Sequence, residues 1–208
     1  MPDAFEFEHL RGRRSARLGV LSDTHLPESR SELWPQVFDA FDGVDAILHG
    51  GDLHDLSLIG ALEQVAPTVV ARGNGEDGSG GRPVQPAHPR LRAAWLLNVA
   101  GVRIGLAHDL PIPEYPPHRT LRPELEALFG TTDLHVLVHG HTHVEAIDLV
   151  DGMLCLNPGS PTYPHNLETQ LGTIAFLDVD DGRASAGVWQ LTEDGTTPFD
   201  WSRWRRPG

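Results

Sequence analysis

Seven side chains of metal-binding type stand at the ends of short apolar runs in this 208-residue chain: Asp23 and His25, Asp52, Asn74, His108, and His141 with His143. Carboxylates, imidazoles and amide oxygens are the donors that borderline divalent ions accept. In Asp23-Thr24-His25 the carboxylate and the imidazole are two residues apart, so an extended chain sends both to one side, where they can grip one ion. In His49-Gly50-Gly51-Asp52 the glycines let backbone approach closely while Asp52 projects from the turn, and its two oxygens can bridge two cations. Arg72-Gly73-Asn74-Gly75-Glu76 offers the Asn74 amide oxygen as a neutral ligand. His139-Gly140-His141-Thr142-His143 puts three imidazoles into five residues, a density that rarely serves a core. Each motif alone has an ordinary explanation as a cap, a turn or a packed histidine, but their recurrence does not.

The runs that carry these residues read as strands: Leu18 to Leu21, Ala46 to Leu48, Thr68 to Ala71, Val102 to Ala107 and Val136 to Val138. In open α/β sheets ligands bind outside the carboxyl ends of the strands, so donors delivered there form one site. Helices are expected between them. One follows Asp55, with Leu58, Ile59, Leu62 and Val65 at helical spacing and Pro67 as a stop; others cross Leu33 to Phe41, with Pro35 in the first turn, and Leu121 to Phe129, ending at Gly130. From Ala93 onward hairpins take over, with Ala100-Gly101 joining Trp95–Val99 to Val102–Ala107. Asp151-Gly152 joins Val144–Leu149 to Met153–Leu156, and Asp181-Gly182 joins Thr173–Val179 to Ala184–Leu191. Mixed strands with helices outside predict an α/β sandwich of two packed sheets. Three Gly- or Pro-rich loops, Gly75–Arg90, Pro111–Thr120 and Pro158–Gln170, leave strand ends near the candidate donors and are expected to line a substrate cleft.

Composition narrows the partners. Sixteen Lys and Arg against 29 Asp and Glu leave a formal charge of −13, which argues against non-specific binding to nucleic acid or an anionic membrane. The single cysteine, Cys155, lies in an apolar stretch and reads as a small core residue. The first sixteen residues carry Arg11, Arg13 and Arg14 and no apolar h-region, and no stretch approaches a membrane span, so a cytoplasmic protein is expected. We expect a flexible N-terminus over 1–16, one domain over 17–200 and a C-terminal tail over 201–208. Trp201 and Trp204 are expected to cap a sheet edge, with a contact between subunits of a homo-oligomer as the alternative.

The ordered blocks Asp23-x-His25, Gly51-Asp52, Gly73-Asn74, His108 and Gly140-His141-x-His143 resemble the calcineurin-like metallophosphoesterase superfamily. Together with Asn157-Pro158-Gly159-Ser160 and the short chain they are similar to its small bacterial and archaeal phosphodiesterase branch, which shares its fold with a retromer scaffold subunit. The resemblance runs from about Leu18 to Leu191. It implies a four-layer αββα sandwich, one metal on Asp23, His25, Asp52 and His143, and a second on Asp52, Asn74, His108 and His141. It also implies phosphoester hydrolysis by a bridging hydroxide held by Asp52, with Asn74 and His108 on the phosphate side. Two divalent ions against two carboxylates leave a surplus of about +2, which attracts a phosphate ester despite the acidic chain. Manganese is expected from the family's habit, with Fe, Zn, Ni and Co also suited to the donors.

His49, Glu76 and His139 are expected to orient the donors through outer hydrogen bonds. His9, His54, His88, His118, His135 and His165 are expected in ordinary packed or exposed roles. The sequence departs from its relatives at Gly75, where many phosphatases carry a histidine that protonates the leaving group, at Asp109 in place of glycine, and at Pro161-Thr162-Tyr163-Pro164-His165, where an arginine is common. The first departure predicts a preference for diesters or esters with acidic leaving groups. A non-catalytic scaffold of the same fold is the alternative; an amidohydrolase is disfavoured because the opening H-x-H and the longer barrel chain are absent.

Overall fold

The computed structural model describes residues 3–110, 121–165 and 171–202. Side-chain alternation sets its layers. In β1 (Ser15–Leu21) Leu18 and Val20 join one buried cluster and Leu21 another. In β2 (Ala46–His49) and β3 (Thr68–Ala71), Ala46, Leu48, Val69 and Ala71 side with Leu18, while Ile47 and Val70 side with Leu21. Strands apolar on both faces must be covered on both faces. Helices α1 (Pro35–Phe41) and α2 (Ser57–Glu63) cover the outer one with Val37, Phe41, Leu58, Ile59 and Leu62.

A one-turn helix, α3 (Asn74–Asp77), and a two-residue strand, β4 (Leu91–Arg92), lead into the second sheet. That sheet is built from β5 (Ala94–Val99), β6 (Val102–Ala107), β7 (Val136–Val138), β8 (Glu145–Val150) and β9 (Met153–Pro158), in the order β5-β6-β7-β9-β8. Trp95, Leu97, Val102, Ile104, Leu106, Val136, Val138 and Leu156 turn toward the first sheet and share its inner cluster. Helix α4 (Arg122–Phe129) closes the outer face, packing Leu125 and Phe129 with Ala107, Leu137 and Cys155. The chain then returns to the first sheet through β10 (Thr173–Asp180), β11 (Arg183–Thr192) and β12 (Gly195–Pro198), which completes the order β12-β11-β10-β1-β2-β3-β4. The layers are α, β, β, α, as expected. The two parallel cores, β1-β2-β3 and β6-β7-β9, bring their carboxyl ends to the same rim.

Local signals act as the sequence predicts. Pro35 occupies the first turn of α1, and Gly130 ends α4 at φ 66°, its N–H on the Glu126 carbonyl. Both residues of Ala100-Gly101, Asp151-Gly152 and Asp181-Gly182 have positive φ, the geometry that a tight hairpin requires. Asp55 accepts the Ser57 N–H at 2.9 Å, just ahead of α2.

Other expectations need correction. The N-terminal segment packs from Phe5 onward: its N–H and carbonyl bond to Leu96 and Asn98, Phe7 and Leu10 are buried in the inter-sheet cluster, and Arg13 pairs with Asp45. Apolar residues at 5, 7 and 10 outweigh the charges between them. Strands β4 and β12, unread from sequence, form because the sheet edges offer partners to short polar segments. Trp201 packs edge-on against Phe199, ring centroids 4.8 Å apart, and remains exposed. The expectations for Pro111–Thr120, His118, the end of the Pro158–Gln170 loop and Trp204 lie outside the described residues. No helix among the described residues is long and apolar enough to cross a membrane.

Phe41 is fully buried and meets Phe176 edge-on at 5.7 Å, tying α1 to the sheet. Phe41→Ala is expected to lower the unfolding free energy by about 3–5 kcal/mol, measured by urea denaturation; a loss below about 1 kcal/mol would mean that α1 does not anchor the outer layer.

Candidate metal centre

The loops after the parallel strands hold the donors in unusual backbone conformations. Asp23, His25, Asp52, His54, His141 and His143 all have positive φ, between 46° and 71°. Asp and His tolerate this region better than most residues, yet it persists only where the surroundings impose it. Here cross-loop hydrogen bonds impose it. The Asp23 N–H donates to the Gly51 carbonyl and the His25 N–H to the Asp52 carbonyl, each at 2.9 Å. The His141 N–H donates to the Asp23 carboxylate at 3.0–3.1 Å. Gly140 is obligatory for that approach, since a Cβ there would lie 1.9 Å from Ser22 Oγ.

The seven predicted donors meet at this rim. His143 Nε2 lies 3.5 Å from Asp23 Oδ1, and His25 Nε2 lies 3.9 Å from the same oxygen and 3.5 Å from Asp52 Oδ2. On the other side of Asp52, His108 Nε2 is 3.4 Å from Oδ1. Asn74 Oδ1 is 3.0 Å from His108 Nε2 and 3.1 Å from His141 Nδ1. Asp52 thus lies between His25 and His108, and Asp23 reaches both neighbourhoods, with ligand atoms grouped within 4.8 Å as Asp23, His25 and His143 and as Asp23, Asp52 and His108.

The donor chemistry fits divalent cations. His108 Nδ1 faces the Gly50 carbonyl at 2.8 Å and His143 Nδ1 the Tyr163 carbonyl at 2.7 Å. Carbonyls only accept, so both Nδ1 atoms carry a proton, and both Nε2 atoms turn toward carboxylate or amide oxygens, where a cation or, on His108, a second proton can sit. His25 Nε2 is buried with no hydrogen-bond partner. Lone pairs converging on lone pairs call for a positive charge between them. Burial opposes ionisation of Asp23 and Asp52, but the neighbouring imidazoles hold both below the usual carboxylate range. Burial likewise opposes a charge on His108, yet Asp52 and Asp23 raise its imidazole to about 9.

A second layer fixes the donors. Glu76, fully buried, accepts N–H bonds from Asp52 at 3.0 Å, His54 at 2.9 Å and Gly73 at 2.9 Å, locking the loops after β2 and β3 together. His49 accepts the Gly51 N–H on Nδ1 at 3.1 Å and turns Nε2 toward Thr24 Oγ1 at 3.2 Å, while burial pushes it down to about 3 and keeps it neutral. His139, pushed down to about 4 by burial, lies 3.4 Å from Asn157 Nδ2, which donates to the Gly140 carbonyl at 3.0 Å. Ser160 Oγ donates to the Asp23 carbonyl at 2.7 Å and accepts the Tyr163 N–H at 2.8 Å. Glu76 and His49 thus contact the turn that carries Asp52, and His139 reaches the turn before His141 through Asn157.

A cleft of about 550 Å³ opens beside Asn74, His108 and His141 and includes Arg72, Asp77 and Asp109. Asp77 and Ser79 bring the Gly75–Arg90 loop to its wall, whereas Tyr163 of the Pro158–Gln170 loop stands beside His25 and His143, away from the residues that line this cleft. Two residues escaped the sequence reading. The exposed Tyr163 ring lies 5.6 Å from the His25 ring and 5.2 Å from the His143 ring, in a loop with no local signal for it. His54, expected in an ordinary role, is buried with its ring centroid 4.3 Å from that of His25. A signal for it existed, because Asp52-x-His54 repeats the spacing of Asp23-x-His25. His9, His88 and His135 keep ordinary roles, bonding to Asp45, Arg90 and Arg103 backbone.

Comparison with known proteins agrees with this geometry. The family model described as the calcineurin-like phosphoesterase superfamily domain matches residues 17–182. A probable metallophosphoesterase of Methanothermobacter thermautotrophicus is 39% identical over 171 residues, covering 82% of this chain and 90% of that protein. A phosphodiesterase of Methanocaldococcus jannaschii is 26% identical over 171 residues, covering 79% of this chain and 93% of its own length. Among solved structures, Vacuolar Protein Sorting 29 from Cryptosporidium parvum superposes with a TM-score of 0.65 at 18% identity, over 89% of this chain and 96% of its own. With its match spanning both sheets and the rim where they meet, the chain belongs to the calcineurin-like phosphoesterase superfamily.

Proposed function

We propose that the protein is a phosphodiesterase that works with two divalent ions, one held by Asp23, His25, Asp52 and His143 and the other by Asp52, Asn74, His108 and His141. The observation that carries this reading is the division of one carboxylate. Asp52 Oδ2 faces His25 at 3.5 Å while Oδ1 faces His108 at 3.4 Å, so its two oxygens serve different neighbours. When bound, such a pair of ions supplies a water deprotonated near neutral pH and positive charge for the oxygens of a phosphate ester.

The chain's own residues prepare the site. The Gly75 N–H donates to Asp52 Oδ1 at 2.7 Å and fixes the direction of the shared carboxylate. Glu76 and His49 hold the turn that carries it. Asn74 and His108 stand on the cleft wall as contacts for the phosphate. Position 75 has no side chain to protonate a departing alkoxide, and Asp77 and Asp109 in the cleft disfavour the second charge of a monoester. Both features favour diesters, as does the relative named a phosphodiesterase. Manganese is the ion we propose first.

With added manganese, bis(p-nitrophenyl) phosphate is expected to be hydrolysed much faster than an alkyl monophosphate. Asp52→Asn should cut turnover by more than the 10–100-fold typical of outer-layer changes. The reverse ranking would refute the diesterase reading, and turnover untouched by Asp52→Asn would refute the shared carboxylate. A scaffold would lose no partner on that substitution.

Glu76→Gln keeps the shape but turns a charged acceptor of three N–H bonds into an amide. Manganese affinity, measured by calorimetry, is expected to fall by about 10–100-fold; an unchanged affinity would remove Glu76 from the support of the site.

The pH dependence has a definite sign. His108 carries a proton below about 9, and a cation must displace it. Loading near neutral pH should therefore release about one proton, and apparent affinity should weaken by about tenfold per unit as pH falls. Calorimetry in buffers of different ionisation enthalpy counts that proton, and a count of zero would contradict the role of His108.

A further inference from the structure

Asp-x-His occurs twice in the loops of the first sheet, at Asp23-Thr24-His25 and Asp52-Leu53-His54, and the reading above uses only the first histidine. His54 is held as carefully as any proposed ligand. Its N–H donates to Glu76 Oε1 at 2.9 Å, its carbonyl accepts from Gln85 Nε2 at 3.0 Å, and its φ is 67°. Its Nδ1 lies 2.9 Å from Glu28 Oε2, and the Arg82 guanidinium pairs with the other oxygen of Glu28. An ionised carboxylate can only accept, so the proton sits on Nδ1 and the lone pair on Nε2.

This is the outer-bond pattern of a metal-binding histidine: one ring nitrogen donates to a carboxylate or carbonyl and the other is left bare. His143 shows the same pattern through the Tyr163 carbonyl. Position agrees with it. A ligand atom of His54 lies within 4.8 Å of ligand atoms of both His25 and Asp52. Gly75 makes room for the ring, because a Cβ there would lie 2.3 Å from His54 Cδ2, 2.5 Å from its Nε2 and 3.2 Å from Asp52 Oδ1. The imidazole of residue 54 thus fills the space into which a side chain at 75 would project.

We propose that His54, oriented by Glu28, is an additional nitrogen ligand for the ion held by Asp23, His25, Asp52 and His143, an inference that rests on the two-ion reading above. A nitrogen committed to an ion does not protonate a leaving group, which is consistent with the expected preference for acidic leaving groups. The glycine after Asn74 and the histidine after Leu53 are then one substitution seen from two positions.

The test uses full-length protein stripped with a chelator and reloaded with cobalt(II), followed by calorimetry and visible absorption. Wild type should take up two equivalents; uptake of fewer overturns the two-ion reading itself and is distinguishable from failure of this proposal. In His54→Ala one of the two equivalents should bind at least about tenfold more weakly and its d–d bands should change, because coordination number falls. Gly75→Ala, which drives a methyl group into the ring, should reproduce both effects and add little in the His54→Ala background. Glu28→Gln should shift affinity in the same direction by less. Unchanged affinity and bands for both equivalents in folded His54→Ala overturn the proposal, and a raised KM for bis(p-nitrophenyl) phosphate in that variant would make His54 a substrate contact instead. Should His54→Ala not fold, Gly75→Ala and Glu28→Gln decide by the same two readouts.

Discussion

Like charges and like lone pairs gathered in a buried place repel one another unless something positive joins them. That constraint organises the rim of this molecule, where two carboxylates, an amide oxygen and four imidazoles converge within a few ångströms. A chain left to itself would spread such groups into water. They stay together because the backbone beneath them is bound in other ways. Buried Glu76 binds two loops through three N–H groups, Asn157 and Ser160 bind a third, and the strained φ values of the donor residues are the visible cost. The sandwich supplies the rigidity on which these local arrangements rest, with cores on both faces of each sheet.

Most of this was legible in the chain. Runs such as Thr68 to Ala71 and Val102 to Ala107 become strands with those very bounds, because mainly apolar stretches of that length, bounded by Pro67 and Arg72-Gly73 or by Gly101 and His108, have few alternatives. The three hairpins follow from Asp-Gly and Ala-Gly turns. The donors were readable because their spacing repeats at the ends of strands, and a parallel topology leaves such ends nowhere else to go.

What escaped was set by contacts distant in sequence. Phe5, Phe7 and Leu10 sit among charges and read as a solvated terminus until the second sheet presents Trp95 and Leu97 to them. Strands β4 and β12 have no pattern of their own and take their conformation from neighbours. The place of Tyr163 depends on Ser160, fastened to Asp23 across the molecule. His54 was discounted as one histidine among many, since the carboxylate that orients it lies 26 residues away.

The donors are shared between the sheets in a particular way. Asp23, His25, Asp52 and Asn74 follow strands of the seven-stranded sheet, whereas His108, His141 and His143 follow strands of the five-stranded one. Each half of the cluster therefore draws on both layers. An apolar interface resists separation but is almost indifferent to direction, so two greasy surfaces can slip sideways at little cost. A cation seated at the rim would act as a rivet against that shear, and chelation would loosen the registry of one layer upon the other as well as empty a pocket.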